Sequence, residues 1–265
     1  MYQTNYHRAS SVDDAAAQFA KGTESKYLAG GQTLLPVMKQ RLAAPSDVID
    51  LARIPALIGI EVSGDAVTVK AATTHYDVAG SADVARAIPA LANLAGMIGD
   101  PAVRYCGTIG GSLANNDPAA DYPAAVLALG ATIVTNKRNI AADDYFTGLF
   151  STALEPGELI TAVGFPVPRR AGYAKMAQRA SRYALVGVFV AETTAGVRVA
   201  VTGAGGSGVY RSKELEAALA SNFAAAALSG VTVPAGDLLS DLHASAEYRA
   251  ALIPVIAERA LVAAG

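Results

Sequence analysis

The chain has 265 residues, 52% of them hydrophobic and only 17% charged, with a net charge of -2 and a single cysteine. That is apolar material enough for a continuous core in one large or two smaller domains. The interspersed charges lack the concentrated basic face that nucleic acid requires. No apolar run approaches the ~20 residues of a bilayer span, the first residues lack a signal-peptide core, and the cytoplasm is the expected location. One cysteine, Cys106, excludes a disulfide framework, a CxxC redox pair and an iron–sulfur ligand set on this chain.

In chain order, Ser11 begins a helix that Gly22 ends, with Asp14 three residues beyond the cap. Lys26 to Ala29 is a short strand that runs into a double glycine, and Leu34 to Met38 starts a helix. Val48 to Leu51 is a second short strand. Ile58 to Ser63 and Ala66 to Ala71 flank Gly64-Asp65 as a hairpin. Asp77 to Met97 is helical in composition and interrupted at Pro89. A second glycine segment begins at Thr108, Pro118 to Leu129 is expected as one helix, and Ala131 to Thr135 as a strand. Leu159 to Phe165 is a further strand, ending in the linker-like Pro166-Val167-Pro168-Arg169-Arg170, so a domain boundary is placed near 168. Beyond it lie strands at Gly172 to Ala177, Leu185 to Glu192 and Val197 to Thr202. Helices follow around Lys213 to Ala220, Phe223 to Leu228 and Tyr248 to Ala263. Strands first and helices later indicate an α+β chain.

Two segments carry the candidate chemistry. In Ala29-Gly30-Gly31-Gln32-Thr33, paired glycines after a strand let backbone approach a ligand closely, and successive N–H groups suit phosphate oxygens. The alternative is an ordinary strand-to-helix turn. In Thr108-Ile109-Gly110-Gly111-Ser112-Leu113-Ala114-Asn115-Asn116-Asp117-Pro118-Ala119-Ala120-Asp121, polar side chains lie among small residues, a composition that lines a polar ligand and fills little core. Asp121 is placed to accept from ligand hydroxyls, or to charge a helix N-terminus. Neither segment is the GxGxxG fingerprint. The Gly203-Ala204-Gly205-Gly206-Ser207-Gly208 run is read as structural, because no βαβ unit follows it. His7, His75 and His243 form no ligand pattern and are assigned surface or capping roles, with no metal site. Arg179 and Arg182 are read as solvated charges or partner contacts.

These segments, with Glu155-Pro156-Gly157-Glu158-Leu159-Ile160, make the chain similar to the FAD-binding medium subunits of molybdenum hydroxylases, the carbon monoxide dehydrogenase and xanthine dehydrogenase group. The resemblance implies a two-part FAD-binding domain of the vanillyl-alcohol-oxidase or PCMH type over 1–168, with subdomains of about 1–55 and 56–168. A smaller α+β domain of the CO dehydrogenase flavoprotein C-terminal type, with a three-stranded antiparallel sheet, would fill 169–265. It implies FAD held non-covalently, because Gln32 and Thr33 stand where related flavoproteins carry an attaching His or Cys. Leu28, Ala29, Gly30, Gly31, Gln32, Thr33 and Leu34 would wrap one side of the diphosphate, and Thr108, Gly110, Gly111 and Ser112 the other, with Ala114 and Asn115 beside them. Asp121 would meet the adenosine part, Ile98 and Ile160 would pack on rings, and Lys175 and Tyr183 would lie near the flavin. No residue would act as a general acid or base, so none is assigned as catalytic. The expected function is electron transfer from [2Fe-2S] clusters on a small partner subunit, through FAD, to NAD, a quinone or oxygen. A large molybdopterin subunit would complete each heterotrimer of a dimer. A self-contained FAD oxidoreductase and a nucleotide-binding module without turnover are the alternatives.

Overall fold

The computed structural model describes residues 1–265 as three larger sheets and one two-stranded hairpin, joined by helices. The first is parallel, with Asp47–Asp50 between Asn5–Arg8 and Ser25–Leu28. The crossover helix Val12–Phe19 starts as read: the Ser11 hydroxyl accepts from the Asp14 N–H at 3.0 Å, and the Asp14 carboxylate accepts from the Ser10 N–H at 2.7 Å. Its C-terminus comes at Phe19, ahead of Gly22. Ligands of parallel α/β units collect beyond the C-terminal ends of their strands, and that is where Ala29 to Thr33 emerges.

The second sheet is antiparallel, in the order Ile60–Ser63, Ala66–Lys70, Ile160–Pro166, Thr132–Thr135, Asn139–Ala141. Its hairpin turns at Gly64 with φ +59°, a conformation that favours glycine. The Asp77 to Met97 stretch is three helices, His75–Gly80, Ala82–Ala87 and Pro89–Gly96, because Ser81 and Pro89 each open a new one. The expected Pro118 to Leu129 helix is shorter, Tyr122–Leu129. Asn116 ends the preceding helix in a left-handed conformation, and the Asp117 carboxylate then accepts from the Ala119 N–H at 2.9 Å, which folds 117–120 into a turn. Every residue of Tyr122–Leu129 is buried, as a helix apolar on all sides must be.

That helix lies against the C-terminal sheet. The sheet is four-stranded where three strands were expected, because Tyr210–Arg211 adds a two-residue edge beside Gly196–Thr202. The order is Arg170–Ala177, Ala184–Thr193, Gly196–Thr202, Tyr210–Arg211. The helix Ala246–Ala264, capped by the Ser245 hydroxyl, covers its other face. Gly172 permits that approach: a β-carbon there would stand 1.9 Å from the Ala260 carbonyl oxygen. The Phe223 to Leu228 region holds only a 3-10 turn, Ala225–Leu228. Gly203, at φ +80°, donates to the Pro118 carbonyl at 2.7 Å, so that glycine run serves close packing. The main core crosses residue 168, uniting Val163 and Phe165 with Tyr173 and Phe189. No helix is long and apolar enough to cross a membrane.

Candidate functional site

A cavity of about 920 Å³ opens between the parallel sheet, the helix Ile109–Asn115 and the segment 154–160, with 181–183 at its edge. That is at the upper end of the ~300–1,000 Å³ usual for small-molecule and cofactor sites. All the residues named from the sequence line it except Lys175.

The two glycine segments make different walls. No backbone N–H from Ala29 to Leu34 donates to an acceptor within the chain, leaving six consecutive donors in a loop whose Gly31 is left-handed at φ +69°. Such a run forms a concave seat for anionic oxygens. The second segment is a helix start, with Thr108 as its cap and the hydroxyl accepting from the Gly111 N–H at 3.1 Å. The N–H groups that follow Thr108 are also engaged: Ile109 donates to the Thr73 carbonyl, Gly110 to Ala71 and Ser112 to Thr108. Free backbone donors therefore concentrate on the first wall, the Thr108 N–H being the one left without an acceptor at the start of the second. The second wall offers the Ser112 hydroxyl and the Asn115 amide.

The glycines also divide by role. A β-carbon on Gly30 would stand 2.0 Å from the Cys106 carbonyl oxygen, and one on Gly110 2.7 Å from the Ala71 β-carbon, so these two let backbones touch. One on Gly111 would meet only the Thr108 hydroxyl at 3.0 Å and the Ala29 β-carbon at 3.6 Å. Gly111 thus keeps the gap between the walls clear.

Asp121 lines the cavity but its carboxylate is already engaged. It accepts from the Tyr173 hydroxyl and, at 2.8 Å, faces the Lys175 ammonium, whose side chain is 2% exposed. Burial pushes the Asp121 carboxyl up, opposed by the ammonium and the Tyr173 hydroxyl. Lys175 also donates to the Arg182 carbonyl at 2.8 Å, so it braces the Asp121 side of the cavity without lining it. Arg182, read as a solvated charge, lines the cavity with φ +65°. Ile98 and Ile160 present apolar surface, and Tyr183 is 44% exposed at the rim.

Three contributors have site roles that the sequence reading did not assign. Glu158 anchors the 154–160 wall: it accepts from Arg138 through both oxygens at 3.1 Å, from the Thr135 hydroxyl at 2.7 Å and from the Glu155 N–H at 2.8 Å. Burial alone would raise its pKa, but these donors hold it at about 2. Phe150 reaches the rim from a hairpin tip.

His75 is the third, and it overturns the surface assignment, for it is 5% exposed and lines the cavity. Burial, with the nearby Arg104 charge, lowers its pKa to about 4, and its Nδ1 has no partner. A buried neutral imidazole stabilises the fold fully above its unfolded value of ~6.5 and progressively less as pH falls toward about 4. Between pH 7.5 and 4.5 this group accounts for a loss of ~2–3 kcal/mol. Urea unfolding of wild type and His75→Gln at both pH values checks it: the wild type should lose that much more than the variant.

Residues 2–168 match the family model described as the FAD binding domain in molybdopterin dehydrogenase. The chain belongs to that family. The nicotine 6-hydroxylase medium subunit of Paenarthrobacter nicotinovorans is 39% identical over 98% of this chain and 96% of its own length. The carbon monoxide dehydrogenase medium chain of Afipia carboxidovorans is 37% identical, over 97% and 95%. Among solved structures, reconstituted CO dehydrogenase from Oligotropha carboxidovorans superposes with a TM-score of 0.89 at 34% identity, covering 99% of this chain and 97% of that one. The mixed helix-and-sheet fold is thus that of a medium subunit of such dehydrogenases, and FAD is the cofactor of the family.

Proposed function

We propose that this chain holds FAD non-covalently in the cavity between its two glycine segments. We further propose that it relays electrons within a molybdenum-containing hydroxylase whose iron–sulfur and molybdopterin centres lie on partner subunits. The observation that carries the proposal is the row of six unengaged N–H groups from Ala29 to Leu34, facing a wall kept free of side chain at Gly111. FAD, when bound, supplies the ability to take electrons singly and pass them on in pairs.

The chain's own residues bind and orient. The 29–34 donors meet the diphosphate with preorganised dipoles in place of bulky cations, the Ser112 hydroxyl and Asn115 amide close the other side, and Ile98, Ile160 and Tyr183 offer surface to rings. The Asp121, Lys175 and Tyr173 cluster fixes the wall between them. We assign residues 1–168, with their parallel and antiparallel sheets, to a two-part PCMH-type FAD fold and 169–265 to a C-terminal domain docked on it. The lone cysteine, free and exposed, suits a reducing cytoplasmic setting. The near-complete coverage of both named medium subunits supports assembly with a small and a large subunit, and we assign the whole as a pair of such heterotrimers.

Purification from the native source should yield the chain with two further subunits, iron and molybdenum. Acid precipitation should release all flavin into the supernatant. A lone yellow chain that reduces a substrate with NADH would overturn the relay assignment, and flavin retained in the pellet would overturn non-covalent binding.

A further inference from the structure

Phe150 stands at the cavity rim on the tip of the hairpin formed by Phe146–Gly148 and Ser151–Thr152. It is 61% exposed, and its backbone is left-handed at φ +51°. A bulky side chain there is costly and persists where surrounding structure enforces it, often for function. The enforcement comes from Asn116. That residue, 3% exposed and itself left-handed at φ +44°, donates through Nδ2 to the Gly148 carbonyl at 2.9 Å and the Ser151 carbonyl at 2.7 Å. Its own carbonyl accepts from the Phe150 N–H at 3.2 Å. Asn116 caps the helix that carries Gly110, Gly111 and Ser112. One helix therefore shapes the glycine wall at its start and fastens the aromatic tip at its end. An apolar ring held out to solvent on a left-handed backbone gains nothing for the fold by itself, whereas a planar ligand in the cavity would cover it.

We propose that Phe150 contacts the cofactor by laying its ring against a planar ring system of the bound dinucleotide, with Asn116 as the residue that positions it. The inference rests on the FAD assignment above. Ring stacking of this kind makes Phe150→Leu and Phe150→Gly bind FAD roughly tenfold more weakly, whereas Phe150→Tyr stays within about twofold of wild type. Phe150→Gly also relieves the left-handed strain, so its flavin-free melting temperature stays within about 2 °C of wild type.

The test uses the full chain in its assembled enzyme, with flavin removed and FAD titrated back. FMN and ADP as separate probes identify the ring by which of them loses affinity in Phe150→Gly. Wild-type protein that takes up no FAD would sink the cofactor assignment itself. Wild type that binds while Phe150→Gly and Phe150→Leu bind equally well would sink the role of Phe150 alone.

Discussion

Gly111→Val is expected to fold and assemble yet come off the column without flavin. The substituted residue sits in the first turn of Ile109–Asn115, where its β-carbon would disturb only the Thr108 hydroxyl at 3.0 Å. The fold therefore loses no more than a weakened cap, ~1 kcal/mol, and a little β-branched helix cost. The two γ-carbons extend into the space between the walls, where a diphosphate seated on the 29–34 donors would lie. Gly30→Ala should behave in the opposite way. Its β-carbon would stand 2.0 Å from the Cys106 carbonyl oxygen, and backbone cannot yield without separating the segments, so the chain should lose stability and flavin together. Calorimetry and released-flavin assays on both variants check the pair. Stoichiometric FAD in folded Gly111→Val would contradict the seating of the diphosphate.

Lys175→Met is expected to be the most damaging single change outside the glycines. It leaves the Asp121 carboxylate, 4% exposed, with the Tyr173 hydroxyl as its remaining side-chain partner. Removing one member of a buried ion pair costs ~3–5 kcal/mol, because the other charge stays buried without compensation. In a chain of this size that lowers the melting temperature by about 10 °C. Lys175→Met combined with Asp121→Asn removes the stranded charge and should recover much of the loss. A double variant no more stable than Lys175→Met would show that packing of the lysine stem, and not the ion pair, carries the effect.

What the sequence disclosed follows from how far its signals reach. Gly30-Gly31 and Gly110-Gly111 act on their neighbours, so both could be located as ligand-facing segments from local chemistry, and the cavity brings them together. Whether each glycine clears space for a ligand or for another strand of backbone was not legible, because that depends on Cys106 for Gly30 and on Ala71 for Gly110. Asp121 meets Tyr173 and Lys175 across 52 and 54 residues, a pairing that no local pattern encodes, so its engagement with protein groups was missed. His75 opens a helix, with Thr74 as its cap, and looked like a surface residue until the Gly107 segment folded over it. Phe150 has no periodicity to mark it. Its place depends on Asn116 34 residues earlier in the chain, whose left-handed backbone also explains the late start of the Tyr122–Leu129 helix. The Tyr210–Arg211 strand is too short for alternation to register.

The most direct test of FAD binding between the two glycine segments is the visible spectrum of the purified, assembled wild-type enzyme, with the flavin it releases on denaturation quantified against this chain. Flavin bands and an equimolar amount of FAD are predicted. A folded, assembled chain that shows neither, even after incubation with excess FAD, would contradict the account.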